Sequence, residues 1–596
     1  MTTTRSSTST QDDHSDLIQR ARAWINADPD QVTREEATRL LNHAIERGDY
    51  QALSDRFAGR LHFGTAGLRG EVGAGPQRMS RVLIYQVSMG LARYLNAQVT
   101  SEPAARPLVV IGYDGRHMSD VFARDAARVL AAMGFEVQLA SELCPTPILA
   151  YAVRHLGAVA GIMVTASHNP PRDNGFKVYW SNGAQIIPPQ DIEISAAIDE
   201  VTLDEVAEFT RGESDLSAVQ DLWSVVDVGF DGEVGQAYWR AQKAHLPEVS
   251  DVPQRPLRVV YTAMHGVGAK WFTALMQQRP HLELIPVPEQ CDPDPDFPTV
   301  SFPNPEEPGA LDFATALANR AEADIILAHD PDADRLAVVA RDASGELKPF
   351  TGDQVGALIA QELFTQLEVG PRDLVATTIV SSSLLSEMAR AHDVQCAETL
   401  TGFKWIANRA LAHEREGGRF LFGYEEAIGY SLHGIVRDKD GLSAGLLLAE
   451  MAWRSHHAGR TLWDELNAVY ERYGLYVSSL ESRVRQGREG AEEIRGWMKL
   501  LRERPPRTLG GVEVVETTDF MSEPSPLTGN VLRYRLADGS RVIVRPSGTE
   551  PKIKMYFEAR VMSDDPIAAR AETGAARLSE LTASLFSILD TPTERT

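Results

Sequence analysis

The chain has 596 residues, of which 43% are apolar and 24% charged, a composition typical of a globular protein with roughly three to five domains. Its net charge of −24 argues against general binding to nucleic acid or anionic membranes, because both would meet a repulsive field. Three widely spaced cysteines, no signal peptide and no apolar run of about 18 residues predict a cytoplasmic protein without a disulfide framework, a zinc site or a membrane span.

The N-terminal segment divides into two parts. Residues 1–13 are polar and low in complexity, which predicts disorder. Residues 16–56 place Leu17, Trp24 and Leu41 at helical spacing, which predicts a helical lead-in. The motif FGTAGLRG (63–70) follows. Its glycines would let backbone amides approach an anion, and Arg69 could clamp a phosphate, although the motif alone also fits a flexible turn.

Strand-like and helix-like patterns alternate after residue 106. They cover residues 108–113, 119–133, 135–139, 147–155 and 158–164. This alternation predicts a mostly parallel sheet whose carboxyl-end loops form the site, and Arg116 lies in such a loop. The acidic segment 202–233 is less regular, and we interpret it as the transition to a second domain.

The motif TASHNP (165–170) ends the last of these strands. A buried strand that finishes in small polar residues predicts a loop at the sheet edge that presents Ser167. One loop serine alone is weak evidence for a nucleophile. Lys177 follows ten residues later and could fold back over Ser167.

The second α/β unit contains two runs of alternating aspartates. Asp330, Asp332 and Asp334 follow an apolar strand over residues 325–328, and their oxygens suit Mg²⁺. DPDPD (292–296) has no such strand, and its prolines predict a stiff loop instead of a metal site. The turn TAMHGVG (262–268) lacks a full dinucleotide fingerprint, so it gives little support for a nicotinamide site.

The third unit and the C-terminal part contribute further loops. TGFK (401–404), GYEEA (423–427) and RDKDG (437–441) lie in or after the third α/β unit. RPSGTEP (545–551) lies between strand-like segments of a C-terminal region in which a charged, helix-rich stretch comes first. Arg545 offers a bidentate cation there, and Ser547, Gly548 and Thr549 offer hydroxyls and backbone amides to a phosphate.

TASHNP, DPDADR, GYEEA and RPSGTEP occur together in one order, and in this the chain resembles the α-D-phosphohexomutase family of phosphoglucomutases and phosphomannomutases. The resemblance covers roughly residues 63–556. It implies a phosphoserine at Ser167, a magnesium ion on Ser167, Asp330, Asp332 and Asp334, and catalytic roles for Arg69, His168, Lys177 and Arg335. The substrate-binding residues that we expect are Thr65, Arg116, Lys404, Glu425, Glu426, Lys439, Arg545, Ser547, Gly548 and Thr549.

The expected fold is α/β, with several consecutive mixed α/β domains around a central cleft and a C-terminal α+β domain. We predict a tail and lead-in over 1–57, a phosphoserine domain over 58–233 and a metal-binding domain over 234–350. A sugar-binding domain over 351–474 and a phosphate-binding domain over 475–596 complete the chain.

The expected activity is interconversion of glucose 1-phosphate and glucose 6-phosphate through a sugar bisphosphate, which also serves as activator, with one Mg²⁺ per chain. Lys177 is the candidate general base, which requires its pKa to fall well below about 10.4. Phosphopentomutase and phosphomannomutase are the alternatives. A magnesium-dependent phosphatase and a silent sugar-phosphate binding protein are less favoured. The expected partners are small-molecule sugar phosphates, while the oligomeric state stays open.

Overall fold

The computed structural model describes residues 7–61, 67–98, 106–211, 223–249, 255–485, 487–522, 528–547 and 552–590, with side chains from residue 14 and without that of residue 488. The chain forms two compact units. Unit 1 comprises Met1–Val339 and Gly429–Glu450, and unit 2 comprises Ala340–Ile428 and Met451–Thr596.

Unit 1 begins with three helices, α1 (Ser7–Ala27), α2 (Gln31–Arg47) and α3 (Gln51–Phe57). Trp24, Leu41 and Phe57 are buried in one cluster with Val206. The helical lead-in is therefore present. The prediction of disorder for residues 1–13 was wrong for residues 7–13, which belong to α1. Helix formation is cooperative, so a helix with a buried apolar face extends into the polar residues that precede it.

The first sheet of unit 1 mixes parallel and antiparallel pairs. Its strands are β1 (Leu68–Glu71), β2 (Leu108–Tyr113), β3 (Glu136–Ala140), β4 (Ala160–Val164), β5 (Asp173–Trp180) and β6 (Trp223–Val226). Their order is β1-β5-β4-β2-β3-β6. The helices that accompany it are α4 (Arg81–Gln98), α5 (Ser119–Ala132), α6 (Thr146–His155), α7 (Gln190–Asp199), α8 (Leu203–Arg211) and α9 (Glu233–Lys243). Strand β4 is buried throughout, as expected for a strand covered on both faces.

Two features of this sheet differ from the sequence interpretation. Strand β5 returns antiparallel to β4, with Lys177 opposite Met163. The acidic transition segment supplies β6, which pairs in parallel with β3 and so belongs to the first sheet. The strand was missed because it is only four residues long and lies within an acidic stretch, where a short apolar run does not stand out.

The second sheet of unit 1 has the order β10-β9-β7-β8. Its strands are β7 (Leu257–Thr262), β8 (Leu282–Pro286), β9 (Ile325–His329) and β10 (Leu336–Arg341), with helices α10 (Gly268–Gln277) and α11 (Asp312–Arg320). Strand β7 pairs in parallel with both β8 and β9. The aspartates therefore follow a buried central strand.

In unit 2 the chain forms β11 (Leu347–Pro349) and then a parallel sheet with the order β13-β12-β14. The strands are β12 (Asp373–Thr378), β13 (Gln395–Thr399) and β14 (Arg419–Glu425), and the helices are α12 (Gly352–Gln366), α13 (Leu384–Ala391) and α14 (Phe403–Arg415). Helix α12 begins with a capping box formed by Thr351 and Gln354.

The segment Gly429–Glu450 returns to unit 1. It contains β15 (Gly429–Leu432) and the first part of α15 (Gly441–His457). Tyr179 and Gln185 donate hydrogen bonds to Asp438, while Tyr238 donates to Asp440. These buried bonds attach the segment to the first domain of unit 1.

The C-terminal part of unit 2 is an antiparallel sheet with the order β16-β21-β20-β19-β18-β17. After α16 (Leu462–Tyr473), its elements are β16 (Leu475–Val484), α17 (Gly487–Glu503), β17 (Thr508–Leu509), β18 (Val512–Asp519), β19 (Leu532–Leu536), β20 (Arg541–Pro546), β21 (Lys552–Val561) and α18 (Ile567–Leu589). Strand β16 precedes the helix-rich stretch that the sequence placed first. The predicted multi-domain α/β fold with a C-terminal α+β part is confirmed.

Candidate active site

Ser167 lies in the loop after β4, which we call the Ser167 loop (residues 165–172). Its backbone has φ 51°, a left-handed conformation that residues with a Cβ rarely adopt. The Ser167 amide donates to Thr165 Oγ1 at 2.8 Å, and Oγ donates to Asp330 Oδ2 at 2.7 Å. The loop therefore aims the serine hydroxyl at the aspartates of the second sheet.

Asp330, Asp332 and Asp334 converge in the aspartate loop (residues 330–334). All three are buried, and one ligand atom from each lies within 4.8 Å of the others. Asp332 Oδ1 and Asp334 Oδ1 are buried and have no hydrogen-bond partner among the residues that the structure describes. Burial and the neighbouring carboxylates raise the pKa of Asp330 well above its ordinary value. Orphaned carboxylate oxygens packed this closely fit a hard divalent cation such as Mg²⁺.

Two lysines contact the same aspartates. Lys177 Nζ donates to Asp332 Oδ2 at 2.7 Å and to Asp334 Oδ2 at 3.1 Å, and Lys439 Nζ lies 2.9 Å from Asp334 Oδ2. Burial lowers the pKa of Lys177, but the two carboxylates outweigh it and hold the pKa above its ordinary value. This direction is opposite to the one that a general base requires.

Three further predicted residues surround the hydroxyl. His168 Nδ1 lies 3.3 Å from Ser167 Oγ, and its ring packs edge-on against Phe302. Arg335 donates its backbone amide to Asp330 Oδ1 at 3.0 Å, and its guanidinium lies 3.9 Å from Asp334 Oδ1. Strand β1 brings Arg69 to within 3.4 Å of Asn169 Oδ1. The sequence therefore identified residues that unit 1 brings together.

Arg116 also lies in this region, but its contacts are with the protein. Its four Nη hydrogen bonds go to backbone carbonyls of residues 167–173. The sequence interpretation made Arg116 a substrate-binding residue. In this structure Arg116 is 4% exposed and its guanidinium holds the Ser167 loop.

Sequence reasoning missed Thr146 at the start of α6. Its Oγ1 donates to Asp332 Oδ2 at 2.7 Å, and its amide donates to the Asp332 carbonyl at 3.0 Å. Thr146 and Asp332 are 186 positions apart. A threonine between Pro145 and Pro147 suggests a rigid turn, but no local pattern identifies its distant partner.

The turn TAMHGVG supports the aspartate loop. Val267 donates its amide to the Pro331 carbonyl at 2.8 Å. A Cβ on Gly266 would lie 2.3 Å from Pro331 Cα, and a Cβ on Gly268 would lie 2.6 Å from the Tyr261 hydroxyl. Glycine is needed here for a close backbone approach to the aspartates.

The proline-rich loop (residues 291–304) packs against the Ser167 loop through Phe302, described above. Asp294 Oδ1 accepts the Asp296 amide at 2.9 Å, and Asp296 pairs with His117 at 2.7 Å. Among the described residues, the one group of three candidate ligands close enough for a metal ion is Asp330, Asp332 and Asp334. The proline-rich loop is thus engaged in contacts with its neighbours.

In unit 2, the predicted sugar and phosphate residues lie in neighbouring loops. Glu425 Oε1 accepts the Gly402 amide at 2.7 Å, and Arg545 donates to Thr401 Oγ1. Lys404 is buried, with Nζ 5.5 Å from the Trp405 ring centroid. Ser547 donates its amide to the Lys552 carbonyl at 2.7 Å. Thr65, Gly548 and Thr549 lie outside the described residues.

Glu426 belongs to the sugar loop (residues 423–427) and points into a hydrogen-bond network. Its Oε2 accepts from Thr378 Oγ1 at 3.2 Å and from Ser381 Oγ at 3.1 Å. The sequence assigned Glu426 to substrate together with Glu425. These bonds give it a role in holding the turn after β12.

Four family profiles match the chain. They are phosphoglucomutase/phosphomannomutase α/β/α domain I at residues 60–205, domain II at 236–345, domain III at 351–473 and the C-terminal domain at 483–573. A probable phosphoribomutase of Schizosaccharomyces pombe is 36% identical over 94% of this chain and 96% of its own length. A probable phosphomannomutase of Haemophilus influenzae is 40% identical over 81% and 93%.

A phosphoglucomutase of Staphylococcus aureus is 35% identical over 89% of this chain and 95% of its own. Among solved structures, parafusin (a phosphoglucomutase) from Paramecium matches with TM-score 0.67 at 20% identity, covering 90% of this chain and 95% of its own. That likeness supports the fold. No helix among the described residues has the length and apolar content needed to span a bilayer.

Proposed function

Because the chain belongs to the phosphoglucomutase/phosphomannomutase family, whose members are phosphomutases, we propose that it interconverts glucose 1-phosphate and glucose 6-phosphate. Ser167 would carry the transferred phosphoryl group, and a glucose bisphosphate would be the intermediate. The observation that carries the proposal is the buried Ser167 hydroxyl, 2.7 Å from Asp330 in a group of three converging carboxylates.

The reaction consists of two phosphoryl transfers. In the first, the hydroxyl oxygen of the sugar phosphate bonds to the phosphorus while the bond from phosphorus to Ser167 Oγ breaks, and the proton that the hydroxyl loses is balanced by the one that Ser167 Oγ takes up. After the bisphosphate turns over, its other phosphoryl group passes to Ser167 Oγ. Two displacements at one serine replace a migration within the sugar.

The residues of unit 1 have distinct proposed roles. Asp330, Asp332 and Asp334, with a phosphate oxygen on Ser167, would hold Mg²⁺, which would neutralise charge on the phosphoryl oxygens. Arg69, His168 and Arg335 would help to hold the phosphoryl group. The Lys177 ammonium orients Asp332 and Asp334 through bonds of 2.7 and 3.1 Å, a role that its geometry supports better than that of a base.

Several residues of unit 2 have proposed substrate-binding roles. Glu425 would accept hydrogen bonds from two sugar hydroxyls in either orientation of the substrate. Lys404, Arg545 and Ser547 would bind the phosphate that is not transferred.

A pentose phosphate mutase is the second candidate. In many phosphoglucomutases of the family that the chain resembles, a serine follows the two glutamates of this loop, whereas Ala427 stands here. Relatives named phosphoribomutase and phosphopentomutase match 94% and 91% of the chain. A missing hydroxyl is expected to relax discrimination between sugars.

A substrate panel tests the proposal. Glucose, mannose, glucosamine, ribose and deoxyribose phosphates are assayed for isomer formation and for released phosphate. Isomer formation from glucose 1-phosphate with little phosphate release is expected. Release of phosphate in place of an isomer would indicate a phosphatase, and a pentose preference would favour the second candidate.

A further inference from the structure

The guanidinium of Arg116 is buried beside the Ser167 loop. Nη1 donates to the carbonyls of Pro170 at 2.8 Å and Asp173 at 3.1 Å. Nη2 donates to the carbonyls of Ser167 and Asn169, the latter at 2.6 Å. A guanidinium carries four Nη hydrogens, so three carbonyls of the Ser167 loop and that of Asp173, the first residue of β5, accept all of them.

Arg116 is itself fixed from two sides. Asp114 Oδ1 accepts the Arg116 amide at 3.1 Å and the Ser119 hydroxyl at 2.7 Å, and Asp114 Oδ2 lies 3.5 Å from Arg116 Nε. The ring of Phe297, from the proline-rich loop, lies 4.9 Å from Arg116 Cζ. A planar fork stacked on an aromatic ring has little freedom to reach a ligand.

The carbonyls that Arg116 binds surround a strained residue. Ser167 has φ 51°, which glycine tolerates and serine does not favour. The Nη2 bond to the Ser167 carbonyl fixes the peptide unit that follows this residue. That peptide orientation directs Oγ toward Asp330 Oδ2, 2.7 Å away.

We propose that Arg116 is a positioning residue that holds the Ser167 loop in its phosphoryl-transferring conformation and does not contact substrate. The inference deepens the proposed function and rests on it for its kinetic consequences. The contacts by which Arg116 holds the Ser167 loop involve the loop and not the sugar. They are therefore expected to be the same for every sugar phosphate substrate.

The test compares the full chain with Arg116→Ala and Arg116→Lys. Both variants should lower kcat by about a hundredfold or more while KM changes little, because displacement of a reacting atom by about 1 Å costs on that order. Guanidinium ion at non-denaturing concentration should partly restore the kcat of Arg116→Ala. Hydrogen exchange at residues 165–173 should quicken in both variants.

Arg81→Ala is the matched control. Arg81 also pairs with a buried carboxylate, Asp125, in the first domain, and it donates a hydrogen bond to the Tyr85 hydroxyl. It should lose stability without faster exchange at residues 165–173. Guanidinium should not change its kcat.

Opposite outcomes would overturn the inference. A rise in KM with kcat preserved would make Arg116 a substrate ligand, and unchanged exchange in the loop would remove the positioning role. If Arg116→Ala does not fold, Arg116→Lys supplies the same readouts. A wild-type chain without mutase activity would refute the proposed function, while loop exchange would still decide whether Arg116 holds the loop.

Discussion

At the scale of single residues, the Ser167 hydroxyl is buried between two domains of unit 1, and from this position we predict that turnover depends on it. Ser167→Ala should retain less than about one hundredth of wild-type activity, because loss of a nucleophile costs several powers of ten. Intact-mass analysis of the wild type should show a phosphorylated fraction that peptide mapping assigns to Ser167. The exposed serine Ser224 of β6, replaced by alanine, is the control. Phosphate found on another residue would contradict the assignment.

The two aspartate runs differ in their contacts, and this difference is testable. Asp332→Ala removes a buried ligand candidate with an orphaned Oδ1 and should abolish magnesium-dependent activity and magnesium binding by calorimetry. Asp294 accepts a backbone amide inside the proline-rich loop. Asp294→Ala should therefore keep both properties nearly intact. Loss of magnesium binding in Asp294→Ala but not in Asp332→Ala would place the metal site in the proline-rich loop instead of the aspartate loop.

Replacement of Ala427 by serine tests whether this position determines the preference between sugar substrates. A neutral hydrogen bond contributes about 0.5–1.5 kcal/mol, or roughly two- to tenfold in specificity. Ala427→Ser should raise kcat/KM for glucose 1-phosphate relative to ribose 1-phosphate by that factor. Both constants are measured in wild type and variant. An unchanged ratio would mean that position 427 does not select the sugar.

At the scale of elements, the TAMHGVG turn is the backbone support of the aspartate loop. Gly266→Ala would place a Cβ 2.3 Å from Pro331 Cα. Overpacking of this kind costs about 1–3 kcal/mol, and the strain acts directly on the metal ligands. We expect a lower Tm and weaker magnesium binding. Gly370→Ala, where a Cβ meets nothing within 4 Å, should change neither. Normal magnesium binding in Gly266→Ala would argue that the turn does not position the aspartates.

The elements also show how far sequence reasoning reaches. Strand β2 was predicted with the bounds found, Leu108–Tyr113, because a run of apolar residues between polar flanks is a local signal. The aspartate loop was recognised for the same reason. The bonds from Thr146 to Asp332 and from Lys439 to Asp334 join residues more than 100 positions apart, which no local pattern encodes.

At the scale of the whole molecule, one segment belongs to a different compact unit from the residues that flank it in the sequence. The profile of domain III covers residues 351–473, yet Gly429–Glu450 packs in unit 1 and brings Lys439 to the aspartates. Periodicity predicted the α/β units themselves, since each has a local rhythm of strands and helices. It could not assign this segment to unit 1, because the buried bonds of Asp438 and Asp440 are side-chain contacts between distant residues.

The global stability of the protein should depend on pH through Asp353 at the start of α12. Burial raises the pKa of Asp353 to about 7, and the nearby charges of Glu426 and Glu558 add to the shift. A carboxyl whose folded pKa exceeds its unfolded pKa favours the fold while protonated. The stabilisation that protonated Asp353 adds to the free energy of unfolding is therefore fully present below about pH 4 and is lost as pH rises through about 7.

Asp353→Asn should remove this pH dependence. The Oδ1 atom of Asp353 accepts from the Ser382 amide at 2.7 Å and the Tyr424 hydroxyl at 2.9 Å, and an asparagine carbonyl would accept both. Between pH 4 and pH 8 the free energy of unfolding of the variant should rise by about 1–3 kcal/mol relative to that of the wild type. This range lies below the full value of about 1.36 kcal/mol for each unit of the pKa shift. Urea unfolding of both proteins across this range measures it, and Asp564→Asn, at an exposed site in unit 2, controls for net charge. A difference between wild type and Asp353→Asn that stays constant with pH would show that Asp353 ionises as freely in the fold as in the unfolded chain.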